Sequence, residues 1–154
     1  MTPIERFATY ILKKPLYPYQ AEVANAIIHS IDHNEGAIIT VMMARQSGKN
    51  QLSAIIEAFL LFTRREGTII KAAPTFSPQI INSRRRLMQM LENDFCKRRI
   101  WTSWAQIGLS PTKDPRSIRQ HSGPSTMFFS ADPDRNVVGA TASLLLEIDE
   151  AQNY

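Results

Sequence analysis

The sequence predicts an α/β fold: a largely parallel β-sheet flanked by helices on both faces, a three-layer α/β/α sandwich. Residues Ala37–Met42 form an apolar, β-branched run without alternation, the mark of a strand covered on both faces, and Thr68–Ala73 and Ser143–Ile148 are further apolar runs. Segments with apolar residues at three- and four-residue steps lie between such runs. Strands alternating with helices imply a parallel sheet joined by right-handed crossovers. At 154 residues, 44% hydrophobic and 21% charged, the chain suits one domain with a real core, and its composition excludes disorder, collagen and coiled coil.

The elements follow in order. Residues 1–16 mix apolar and basic side chains, and Pro15 and Pro18 disfavour helix at the residues before them, so this segment reads as an arm docked on the domain. Val23, Ala24, Ile27, Ile28 and Ile31 predict a helix over Tyr19–His33, ended by a turn at Asn34, Glu35 and Gly36 before the first strand. Leu52, Ile55, Ile56, Phe59 and Leu60 predict a helix over Gln51–Arg65, and Gly67 resets the chain before the second strand. After a loop at Pro74–Pro78, a helix is expected over Gln79–Phe95; Lys97–Asp114 is poorly patterned. Ser117–His121 and Thr126–Ser130 flank Ser122-Gly123-Pro124-Ser125, turn chemistry that suits two short paired strands. A polar loop, Ala131–Gly139, leads to the last strand.

Several function classes are excluded at this stage. A single Cys allows no intramolecular disulfide framework, so a reducing cytoplasm is the expected compartment. The longest apolar stretches, Ala37–Ala44 and Ala58–Phe62, fall far short of the ~18–20 residues of a membrane-spanning helix. The N-terminus lacks the continuous apolar region and cleavage site of a secretory signal. A net charge of +4 permits an acidic partner such as DNA without establishing one.

The chemistry concentrates in Met43-Ala44-Arg45-Gln46-Ser47-Gly48-Lys49-Asn50, between a predicted strand and a helix. Backbone N–H groups of such a turn and of the helix N-terminus point at one spot, where the helix dipole favours negative charge. Gly48 lets backbone approach a phosphate, and Lys49 reaches the β- and γ-phosphates as a point charge. Against G-x-x-x-x-G-K-[ST] the loop keeps Gly48-Lys49 but carries Met43 for the first Gly and Asn50 for the hydroxyl residue. Downstream, Leu144–Ile148 closes on the adjacent carboxylates Asp149 and Glu150. At the C-terminal edge of a parallel sheet Asp149 could hold Mg²⁺ while Glu150 polarises the attacking water. Loop and acidic pair in this order favour nucleoside triphosphate hydrolysis over a plain turn and a solvated acidic end. Glu147 breaks the strand's apolar run with no evident reason. Upstream, in Tyr17-Pro18-Tyr19-Gln20, the Gln20 amide could read the N6 and N7 edge of adenine while a Tyr stacks on the base. The plain alternative is a buried Tyr pair at a helix start.

These pieces together resemble the ATPase domain of the large terminase subunit of tailed bacteriophages, over about Tyr17 to Gln152. Arg45 inside the phosphate loop is the most specific part, since the terminase variant of that loop carries Arg there. The resemblance implies a RecA/ASCE-like P-loop fold whose loop, Ala44 to Asn50 through Gln46, Ser47 and Gly48, binds ATP together with Tyr17 and Gln20. By it Lys49 contacts phosphates, Asp149 holds Mg²⁺, Glu150 is the catalytic carboxylate, and Arg45 senses or stabilises the γ-phosphate. It makes Asn50 a Mg²⁺ ligand in place of the usual Thr or Ser, its amide oxygen being a suitably hard donor. Implied partners are double-stranded DNA, the terminase small subunit, the portal protein and further copies of the chain, in the cytoplasm of an infected host. Large terminases continue into a coupling motif and a nuclease domain, so residues 17–154 read as an ATPase domain ending after its acidic strand, without nuclease activity. The alternatives are the nucleotide-binding half of a helicase, against which Arg45 and Asn50 speak, and a catalytically inactive interaction module.

Weaker features have plain readings beside functional ones. Arg84-Arg85-Arg86 and Lys97-Arg98-Arg99 could face DNA phosphates or line a solvated helix face. His29 and His33 have a metal-permitting spacing without a third ligand. Cys96, Trp101 and Trp104 are expected to serve packing.

Overall fold

The computed structural model describes residues 1–110, 123–130 and 141–150. Its elements are helix α1 (Pro3–Arg6), a wide helical turn at Phe7–Ile11, helices α2 (Pro18–Asp32) and α3 (Lys49–Thr63), strand β1 (Thr68–Ala73), a second wide turn at Phe76–Ile80, helix α4 (Ile81–Met90), and strands β2 (Ile100–Thr102), β3 (Gln106–Leu109), β4 (Ser125–Ser130) and β5 (Leu145–Ile148). The expected α/β class is present: a five-stranded sheet in the order β2-β3-β4-β1-β5, flanked by helices.

The sheet is mixed. β1 is paired in parallel on both edges, with β4 on one and β5 on the other. β3 pairs antiparallel with both β4 and β2. The β2–β3 hairpin lies in the stretch that shows no pattern in sequence, because strands of three and four residues are too short to display a period. Its fit depends on Gly108, opposite Trp101 in register: a Cβ there would lie 2.5 Å from the indole ring. That contact buries Trp101, whereas Trp104 at the hairpin tip is exposed.

The helices form where periodicity predicts them. α2 starts with Pro at its first position and with the Tyr17 N–H donating to Gln20 Oε1 at 3.0 Å, so one orphan donor is satisfied by the chain itself. It buries Ala21, Ala24 and Ile28. α3 is buried along almost its whole length and forms the heart of the core with β1, β4 and α4, through Leu52, Ile55, Phe59, Ile69, Leu87 and Phe128. The N-terminal residues bury Ile4, Ala8 and Leu12 against this core, with Phe7 edge-on to Phe59. Cys96 packs in the same core, and burial raises its thiol pKa.

One element departs from expectation. Residues 37–42 belong to no helix or strand, and Ile38 and Met42 are 97% and 92% exposed. Both edges of β1 are taken by β4 and β5, and no described strand pairs with 37–42, although the outer edge of β5 has no partner among the described residues. The local apolar signal alone does not make a strand; the backbone bonds of a neighbour do. The expected pairing of Ser117–His121 with Thr126–Ser130 and the loop at Ala131–Gly139 lie outside the described residues, apart from 125–130, which form β4. No helix is long and apolar enough to cross a membrane among the described residues.

Candidate functional site

The loop between residue 43 and α3 is shaped by backbone conformation. Gln46 and Gly48 both take positive φ, 62° and 84°, and Ser47 N–H donates to the Ala44 carbonyl at 3.2 Å, closing a tight turn that delivers the chain into α3. Gly48 is required here for space as well as for conformation, because a Cβ would lie 2.5 Å from Gln20 Nε2. The turn leaves the first N–H groups of α3 without helical partners, at the positive end of a fifteen-residue helix.

Gln20 is 1% exposed and holds the loop from beneath. Its Oε1 accepts from Tyr17 N–H, and its Nε2 donates to the carbonyls of Ser47 and Gly48 at 3.4 and 3.5 Å. Tyr19 adds a hydroxyl bond to the Ser47 carbonyl at 2.7 Å. Tyr17 stacks on Tyr19 with centroids 5.9 Å apart and is itself exposed, so an aromatic face stands open beside the loop.

Lys49 and the acidic pair, 101 residues apart in the case of Glu150, come together at the end of β5. Lys49 Nζ lies 3.2 Å from Asp149 Oδ1 and 3.5 Å from Glu150 Oε1. Partial burial pulls the Lys49 pKa down, but its bonds and charge attraction to Asp149 and Glu150 outweigh that and hold it above its ordinary value. Asp149 is fixed by its own backbone, whose N–H donates to the Ala72 carbonyl of β1 at 2.9 Å. The chain then turns sharply, with Glu150 at φ 53° and its N–H on Asp149 Oδ1 at 3.0 Å. Asn50, Asp149 and Glu150 line one small cavity of about 130 Å³. Arg45 is exposed and makes no hydrogen bond or ion pair among the described residues.

Behind this pair lies a charge cluster that sequence reasoning missed. Lys71 of β1, 4% exposed in its side chain, sits 3.3 Å from Glu57 of α3 and 3.1 Å from Glu147 of β5. Ser53 of α3 accepts from Lys71 and donates to Glu147 at 2.5 Å. Burial, partly opposed by Lys71 and reinforced by Glu147, pushes the Glu57 pKa up to about 8. Burial disfavours the Lys71 ammonium, yet Glu57 and Glu147 more than compensate and raise its pKa. The break that Glu147 makes in its apolar strand is thus explained by register: Lys71 and Glu147 are direct partners in the β1–β5 ladder. A charge inside each of two apolar runs was the available signal.

The basic clusters are partly engaged. Arg84 donates to the Ser103 carbonyl at 2.7 Å, Arg99 stacks over Phe95 at 4.3 Å and donates to its carbonyl, and Lys97 pairs with Asp94. His29 and His33 share an exposed face with ring centroids 4.0 Å apart, beside Glu35, and the described residues hold no metal-ligating group of three or more.

No protein-family model matches the chain, and no curated protein matches its sequence. Among solved structures it is similar to the crystal structure of the HK97 bacteriophage large terminase, with a TM-score of 0.64 and 16% identity, over 96% of this chain. The chain spans 37% of the length of that terminase. At this identity the likeness speaks to architecture, and the conclusion it carries is that this chain has the α/β fold of part of a phage large terminase.

Proposed function

We propose that the chain binds and hydrolyses ATP as the motor domain of a terminase-like DNA-packaging protein. The observation that carries this reading is the convergence of Lys49, at the start of α3, with Asp149 and Glu150, at the end of β5, within 3.2 to 3.5 Å. An ammonium at a helix N-terminus facing two carboxylates across a sheet edge is the arrangement needed to bind a triphosphate and polarise water beside it.

Within this reading the turn through Ala44, Gln46, Ser47 and Gly48 gives N–H groups to phosphate oxygens, and Lys49 neutralises their charge. Tyr17 offers its exposed ring to the base. Gln20, buried beneath the loop with both ends of its amide engaged, acts through the loop it supports rather than by reading the adenine edge. Glu150 accepts the proton of the attacking water, and Arg45 stabilises charge on the γ-phosphate. Hard oxygen donors on Asp149 and Asn50 line the same cavity, which fits them to hold Mg²⁺ through its water shell; bound there, the ion would neutralise phosphate charge. Double-stranded DNA, a portal and a small terminase subunit are the proposed partners of the longer assembly, in an infected cell.

Calorimetry of Mg-ATP binding by the wild-type chain and by Lys49→Ala tests the reading, with circular dichroism on both. Binding lost in a folded variant is the expected result; a folded wild-type chain that takes up no Mg-ATP would refute it.

A further inference from the structure

We propose that Arg86 of α4, with Gln79 and Asn82, forms a second wall of the candidate site and makes it selective for a terminal phosphate, so that a nucleoside triphosphate is preferred over a diphosphate. The proposal rests on the nucleotide reading above and adds a specificity-determining residue to it. The cavity at the end of β5 is lined by Asn50, Lys71, Asp149 and Glu150 and, from the segment 79–86, by Gln79, Asn82 and Arg86. Gln79, Asn82, Ser83 and Arg86 recur at i, i+3, i+4 and i+7, so they make one continuous polar stripe facing the acidic pair. The neighbouring face of the same segment is apolar, with Ile80 and Leu87 buried in the core, which fixes the rotation of the helix and the aim of the stripe.

The three consecutive arginines therefore have different surroundings. Arg84 reaches back to the Ser103 carbonyl, Arg85 and Arg86 are both exposed, and only Arg86 of the three lines the cavity, without a hydrogen bond or ion pair among the described residues. A guanidinium opposite two carboxylates, close enough to share a cavity with them but unpaired, is placed for an anion that sits between. The space of about 130 Å³ resembles the roughly 150 Å³ that admits a benzene-sized molecule, enough for one phosphoryl group and too small for a base and sugar. A planar fork of donors suits phosphate oxygens better than a point charge does. A diphosphate held by the loop and Lys49 would not extend to this wall; a triphosphate would.

The test compares Mg-ATP and Mg-ADP affinities by calorimetry for the wild-type chain, Arg86→Gln, Arg86→Lys, Arg85→Gln and Lys49→Ala, each checked by circular dichroism. The expected result is that Arg86→Gln weakens ATP about ten- to hundredfold and leaves ADP unchanged. Arg86→Lys should fall between, and Arg85→Gln should match the wild type. Equal weakening of ATP and ADP, or no change in either, overturns the role of Arg86 while leaving the phosphate site standing, provided Lys49→Ala abolishes binding. If Lys49→Ala binds ATP normally, or the wild type binds neither nucleotide, the nucleotide reading falls and this inference with it.

Discussion

Two apolar runs of six residues behave in opposite ways. Residues 37–42 carry no charge, yet Ile38 and Met42 are almost fully exposed and the run joins no sheet. β1 carries a lysine at its centre, yet Ile69 and Ala73 are 0% exposed and Lys71 is buried with them. The difference lies in what surrounds each run. β1 has a parallel neighbour on both edges and α3 across its face, and its lysine meets Glu57, Glu147 and Ser53 there. A buried charge with its partners in place is tolerated; an apolar run that pairs with no neighbour stays in solvent.

The largest effect should come from removing the cation at the centre of β1. Lys71→Met leaves Glu147 beside a buried carboxyl with no positive partner, and is expected to destabilise the chain by roughly 3 kcal/mol or more in urea unfolding. A loss near zero would mean that the cluster is open to water and that β1 is less buried than its neighbours imply. Next, the same truncation in the two runs should give unlike results. Ile69→Ala, at a fully buried site, is expected to cost about 2–4 kcal/mol.

The cluster should also show itself in pH dependence. The folded-state pKa of Glu57, about 8, lies above its ordinary 4.5, so the native state binds the extra proton and stability falls as pH rises between those values. Glu57→Gln keeps the neutral, hydrogen-bonding shape and should flatten the thermal-midpoint profile over that window. An unchanged slope would assign the pH dependence elsewhere. The smallest effect belongs to the exposed run: Ile38→Ala should change stability by less than about 0.5 kcal/mol, and amide exchange over 37–42 should be fast where β1 is slow. A cost at Ile38 equal to that at Ile69 would show that the run is paired in solution and erase the contrast.

Much of this architecture is legible from periodicity. The three- and four-residue steps of Val23, Ala24, Ile27 and Ile28 mark α2, and those of Leu52, Ile55, Ile56 and Phe59 mark α3, because a helix that buries one stripe must repeat its apolar positions at the helical pitch. Thr68–Ala73 is read with its observed bounds. The candidate site is legible in part as well, since Gly48-Lys49 and Asp149-Glu150 stand out as polar groups placed just beyond apolar runs. What is not legible is anything that depends on a partner distant in the chain. The apolar run at 37–42 has the same local signal as β1 and a different outcome. Glu147 looks like an error in its strand until Lys71 is found in register beside it. Arg86 is indistinguishable from Arg84 and Arg85 until α4 is set against the core.

Local order in the chain thus decides which segments turn helical, where the tight loop at Gly48 falls, and that an acidic pair follows the last apolar run. The tertiary structure alone decides which apolar run is paired on both edges, which buried charge is compensated, and which arginine lines the cavity. The physical reason is reach. Helical stripes and turn conformations are set by residues within a few positions, whereas strand pairing, charge compensation and cavity walls depend on groups tens of residues away, whose distances only the packed molecule defines.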